Sequence, residues 1–466
     1  MKKYIFKTVK FAGVVLAAAL TLSSCDTWID TDVNVNPDAP ADVPMNLMLP
    51  AIQQNIGFTL AGNDMVLTTN SWMQQFDGVA RQSYTVSRYQ YLPADVNNLW
   101  NSIYSGILIN SKLLINKAEN TEGAYSPYNA GIGKVLMATT LGVSTDLFGD
   151  MPYSEALKGD QNVLTPKFDT QEQVYTALQG LLDGAIADFG KPAAENKVAV
   201  KSDVMYAGNI AKWKKAAYSI KARHLLQLSA VKGNAAYTEA LAAAANGFAS
   251  SADDMMVPWE EANHNPIFQF MEQRTDVRMG ATLVNLMKSL EDPRLPFYAE
   301  KDGSGEYTGS AIGSQNESAS KPGTYIAGAT ASSMIMSYAE LKFIEAEANF
   351  KLNKSTEALD ALKKAVGASI LRVTGAAMTD EWYTAKIASQ SLTLELIMTQ
   401  KYIATFGTNQ AYADYRRVGI PVMTVPPEAV LPSMPTRYPY AQDEISYNGA
   451  NVPNVVSIND KLWWDK

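Results

Sequence analysis

The chain has 466 residues, of which 47% are hydrophobic and 18% charged, and its formal net charge is −8. This is a globular composition with a sizeable core, and an acidic balance with no basic cluster argues against a nucleic-acid partner. Cys25 is the only cysteine, so disulfides are excluded and packing must supply the stability.

Lys2, Lys3, Lys7 and Lys10 precede the apolar run 12–22. They make a basic n-region and an h-region too short for a permanent spanning helix. Leu22-Ser23-Ser24-Cys25 follows and resembles a bacterial lipobox, so residues 1–24 are expected to be a leader cleaved before Cys25. An ordinary signal peptide with an incidental cysteine is the plainer alternative. A lone thiol in an exported chain is otherwise a reactive leftover. Acylated at its N-terminus with several fatty chains such as palmitate, Cys25 becomes a stable membrane anchor. No later stretch is apolar over the ~18 residues that a spanning helix needs. Residues 25–50 read as an acidic tether, because Asp26, Asp30, Asp32, Pro37, Asp38, Pro40 and Pro44 leave little that can pack. The folded domain is expected over 51–466.

From about Ile52 the hydrophobic period is mostly helical. Trp100, Ile103, Tyr104, Ile107, Ser111, Leu114 and Ala118 make one apolar stripe at steps of three and four. A second helix is predicted from Tyr128 to Phe148, with Gly149 as its cap and Pro152 beyond. A third opens at Asp169, whose carboxylate can cap it while Glu172 sits three residues on, and runs to Phe189. Further helices are predicted at Asn209 to Ala230, Ala235 to Asn246, Ser333 to Leu352, Ser355 to Leu371 and Leu392 to Phe406. Helices paired by short loops point to a helical-repeat superhelix, although no clean tetratricopeptide consensus is present.

Three regions break the rhythm. Residues 249–296 are rich in Trp, Asn, Pro, Phe and Arg, and 302–325 form a Gly/Ser loop whose length makes function or disorder the default explanation. The Pro-rich tail from Pro421 is expected to be irregular and to wrap back over the helices.

Several phrases, taken in order, resemble the SusD/RagB family of outer-membrane lipoproteins, in its SusD-like branch. They are Asn36-Pro37, the run 146–156 (DLFGDMPYSEA), Lys212-Trp213-Lys214-Lys215, Asp292-Pro293-Arg294-Leu295, and the run 339–348 (AELKFIEAEA). Near the C-terminus, Gln400-Lys401-Tyr402, the run 416–421 (RRVGIP), the run 435–439 (PTRYP) and Trp463-Trp464-Asp465 complete the set. The resemblance implies a mostly α fold, a tetratricopeptide-like scaffold with irregular, loop-rich insertions forming a ligand face. It also implies a SusC-like TonB-dependent outer-membrane transporter as partner, and a cargo of glycans or, in some members, peptides. It implies a binding protein and no enzyme.

The residues themselves carry little catalytic signal. Asp146 and Asp150 lie a helical step apart beside Glu155, a spacing that a glycosidase's paired carboxylates could use; fixing the turn into Pro152 is the simpler role. His224 and His264 have no metal-ligand spacing, no phosphate-binding glycine loop is present, and no cofactor is expected. Of Arg416 and Arg417, one is expected to pair with a carboxylate under the tail and the other to be solvated.

The binding candidates are aromatic. Between Ser71 and Leu92 stand Trp72, Phe76, Tyr84, Tyr89 and Tyr91, among Gln74, Gln75, Asp77, Arg81, Gln82, Ser83, Arg88 and Gln90. Flat rings cover the apolar face of a sugar, while amide and guanidinium groups bond its hydroxyl rim. Each buried ring face contributes about 1.5–3 kcal/mol, an affinity that permits release. Trp72 and Phe76, one helical step apart, fit a core better than a ligand face. A second patch holds Trp259, Asn263, His264, Asn265, Phe268, Arg274 and Arg278, and Tyr307 and Tyr325 are candidates for a rim or flap. The expected function is a surface-exposed, lipid-anchored glycan-binding subunit of a transporter complex. The same architecture binding peptides, a lipoprotein glycosidase and a purely structural adaptor are the alternatives.

Overall fold

The structure, a computed structural model, describes residues 43–465. Cys25, the leader and most of the tether lie outside the described residues. The first helix, Met45–Thr59, begins inside the stretch read as tether, because Met45, Met48, Leu49, Ile52 and Ile56 recur at helical steps and are all buried. Asn63–Trp72 follows it. The stripe from Trp100 forms as expected, with one irregularity: α-helical Asn97–Asn101 passes through a π segment, Ser102–Leu108, into α-helical Ile109–Asn120.

The central helix is Pro127–Phe148, buried on nearly every side. Its small residues admit close neighbours: a Cβ on Gly142 would stand 2.2 Å from the His224 ring. It ends at Gly149, whose φ of 80° only glycine adopts without strain. Consecutive helices then pack as pairs: Pro127–Phe148 on Gln171–Asp188, Ile210–Gln227 on Asn234–Ala244, and Tyr338–Lys351 on Ser355–Thr374. Leu394–Ala404 and Gln410–Val418 follow, the latter a helix that the sequence reading does not predict. This is the mostly helical architecture expected.

Two local expectations are corrected. Thr170, not Asp169, caps Gln171–Asp188, in a box with Gln173. Asp169 is drawn away because its carboxylate accepts from the amides of Tyr153 (2.9 Å) and Ser154 (2.7 Å). Residues 333–336, read as the start of a helix, are strand β4 (Ser333–Met336), paired antiparallel with β2 (Met255–Val257). Ser337 ends the strand and caps the helix behind it.

The other sheet is small and decisive. Strand β1 (Phe76–Gly78) pairs antiparallel with β3 (Val277–Met279), setting Asp77 opposite Arg278. The 302–325 loop is tied to this sheet: Ser310 Oγ and the Gly313 amide both donate to the Asp77 carboxylate. Its length therefore serves packing.

The tail wraps back as expected. The Tyr438 amide donates to Leu147 O at 2.7 Å, Tyr440 Oη to Asp150 O at 3.0 Å, and Arg437 to Phe148 O. Trp464 is fully buried. Neither Arg416 nor Arg417 is solvated. Arg416 stacks on the Tyr412 ring at 3.9 Å and on Trp464 at 4.8 Å, and Arg417 is forked between Glu347 and Asp414.

Candidate functional site

The β1–β3 pairing brings the two aromatic patches of the sequence together, although about two hundred residues separate them. Arg81 strengthens the join, its Nε donating to Asp276 Oδ2 at 2.9 Å. Beside this join lies a cleft of about 250 Å³. One wall is the helix Arg81–Ser87 with the turn Pro93–Val96, giving Gln82, Ser83, Thr85, Gln90 and Asp95. The floor is Asn63–Trp72, giving Asp64, Thr68 and Ser71, and the opposite wall is Pro266–Gln273, giving Phe270 and, just past its end, Arg274.

The opposite wall stands because Asn265 caps it, accepting from Ile267 N (2.7 Å) and Phe268 N (3.1 Å) while donating to Ala331 O (2.7 Å). Ile267 then falls on the buried face, and Phe270 and Arg274, three and seven residues on, follow it toward the cleft. Amides, hydroxyls, one guanidinium and two carboxylates thus surround half-buried Phe270 and the edge of Tyr91. Burial pushes the Tyr91 hydroxyl up, with Thr68 opposing as a hydrogen-bond partner and the charges of Asp64 and Asp95 adding to the rise, so it stays a neutral donor.

Of the sequence-predicted residues, Tyr91 and Arg274 line this cleft, together with Gln82, Ser83 and Gln90 from among the polar neighbours of the rings. Trp72 does not: its ring is sealed in the core among Tyr91, Tyr412 and Tyr438, and Nε1 donates to Val86 O at 3.1 Å. Tyr89 and Trp259 are likewise buried, Trp259 fixed by its Nε1 on Ser333 Oγ at 2.9 Å, so neither ring offers a face to a ligand. Asn265 is consumed as a cap. Arg278 is buried and donates to the carbonyls of Thr275 (2.7 Å), Val277 (3.0 Å) and Glu317 (2.8 Å), which makes it a structural clamp. Arg81 is the ion-pair partner described above. Tyr84 is half-buried and turned to the tail, its Oη donating to Glu428 at 2.7 Å. Phe268 packs on His264 at 5.1 Å and Tyr325 on Tyr298 at 5.1 Å, both outside the cleft lining.

Sequence reasoning missed Asp64, Asp95, Asn98 and Phe270. The step of 267, 270 and 274 on one helix face was the available signal for Phe270. The carboxylates considered for acid–base chemistry all have structural duties. Asp146 accepts from Tyr175 inside the core, Asp150 from Gln171 N at 2.8 Å, and Glu155 from Lys167 N at 3.1 Å. Among the described residues no group of His, Cys, Asp and Glu is arranged to hold a metal ion.

The family model described as "Starch-binding associating with outer membrane", of the SusD-like group, matches residues 37–441. No curated protein matches the chain. Among solved structures, a SusD/RagB family protein from Bacteroides thetaiotaomicron is 26% identical, with a TM-score of 0.79 over 91% of this chain and 99% of that one. A chitin-binding SusD homolog from Flavobacterium johnsoniae shares the fold at 21% identity, with a TM-score of 0.78 over 91% and 98%. A further chain described as a chitin-binding protein is 24% identical, with a TM-score of 0.78 over 91% and 100%. With a match that spans most of its length, the chain belongs to the SusD-like family.

Proposed function

We propose that this protein captures glycans at the outer face of the cell and passes them to a SusC-like TonB-dependent transporter, with no catalytic residues of its own. The observation that carries the reading is the cleft between the helices Arg81–Ser87 and Pro266–Gln273, where amides and hydroxyls ring Phe270 and Tyr91 as a saccharide's hydroxyls and apolar face require. The family's description as starch-binding, and the chitin-binding character of two proteins with the same fold, support it. Among the described residues no helix is long and apolar enough to cross a membrane. Attachment is assigned to acyl chains on Cys25, with residues 25–44 as the tether.

Calorimetry and retarded gel migration against starch, chitin oligomers and a wider polysaccharide panel test the reading. At least one glycan is expected to bind. A response to oligopeptides with none to any glycan moves the cargo to peptides. Cys25→Ser is expected to release the protein from the membrane fraction, and retention there refutes the anchor.

A further inference from the structure

The cleft continues past Asn98. A second hollow of about 160 Å³, lined by Phe58, Thr59, Met65 and Leu99, shares Asp64 and Asn98 with the first. Together they reach the few-hundred-Å³ range of ligand sites. The trough carries a ring at each end: Phe270 on the wall near Arg274, and Phe58, 43% exposed, at the close of the first helix. Asp64 stands at the junction. The surrounding protein raises its carboxyl above the usual value, with Arg274 opposing. The charges along the trough are Asp64, Asp95 and Arg274, an excess of acceptor over cation. Sugar hydroxyls and amide N–H groups supply donors to such a surface, whereas a uronate would set its own carboxylate against two others.

We propose that this trough is a two-subsite groove for an uncharged oligosaccharide, one ring held at Phe270 and the next at Phe58. Asp64 accepts hydrogen bonds from hydroxyls of both at the junction and sets the specificity. The inference rests on the glycan reading above.

The test is calorimetry on the full chain and on its Asp64→Ala and Phe58→Ala variants. The ligands are glucose and N-acetylglucosamine, their dimers to tetramers, and oligogalacturonate of matching length. Affinity is expected to rise about tenfold from one ring to two. Phe58→Ala should remove that gain, Asp64→Ala should weaken the dimer about tenfold, and oligogalacturonate should bind worst. Circular dichroism melts establish that both variants fold, and a Phe58→Leu variant, which keeps bulk without a flat face, replaces Phe58→Ala if that one does not. Equal affinity for one and two rings, indifference to both residues, or preference for oligogalacturonate overturns the groove while leaving glycan capture standing. Silence toward every glycan overturns both.

Discussion

Arg417 lies beneath the surface with its guanidinium forked between Glu347 and Asp414, and Lys401 Nζ closes on Asp414 from the other side at 2.7 Å. Burial works to raise the Asp414 carboxyl, but Lys401 and Arg417 outweigh it and hold that carboxyl below its ordinary value. Removing one member strands the others, so Arg417→Met is expected to cost about 3–5 kcal/mol in urea unfolding. The His224 ring faces Asp146 at 4.0 Å. Burial, helped by Arg223, drives His224 from 6.5 down to about 3, and burial raises Asp146 to about 6. The signs oppose each other. The His224 contribution is whole above pH 6.5 and is lost as pH falls toward 3. That of Asp146 is whole below 3.8 and is lost as pH rises through about 6. The histidine shift is the larger, so melts from pH 7 to 4 should show Tm falling, and falling less in His224→Met. Parallel slopes would mean that the ring is protonated, or wet, in the native state.

The helix Pro266–Gln273 shows how an element presents a site. Asn265→Ala removes its cap and should cost about 1 kcal/mol of stability. The glycan titration should weaken with it, since the wall carrying Phe270 and Arg274 loosens. Phe270→Ala should lower glycan affinity about tenfold and cost more in binding than in melting temperature. Trp259→Ala should do the reverse, with about 3–5 kcal/mol lost from the core. Most of the long helices were legible from their periods because they bury one stripe, whereas Pro127–Phe148, buried on nearly every side, was marked by Gly149 and Pro152 at its end. Capping was less so: Asp169 and Thr170 are both good N-caps, and only the chain returning past Tyr153 decides between them. In the Trp72–Tyr91 segment the residue types pointed to sugar chemistry, but composition does not say which of the rings are buried. Which rings face water depends on Tyr412 of the helix Gln410–Val418 and Tyr438 of the tail, which cover Trp72 from more than three hundred residues away.

At the scale of the molecule, the cleft exists only because β1 and β3 meet, joining a segment near residue 77 to one near residue 278. No local pattern encodes that pairing, since each strand is three residues long. Deleting the chain from Arg437 onward is expected to collapse the thermal transition, because Tyr438, Trp464 and the platform under Arg416 leave together.

That clasp has a bearing on biogenesis. Synthesis proceeds from the other end, and the groove that receives Tyr438 and Trp464 stays open until they emerge. A half-made polypeptide therefore lacks the contacts that complete the tertiary structure. Ribosome-stalled fragments ending before Arg437 should stay protease-sensitive, and the completed product should resist.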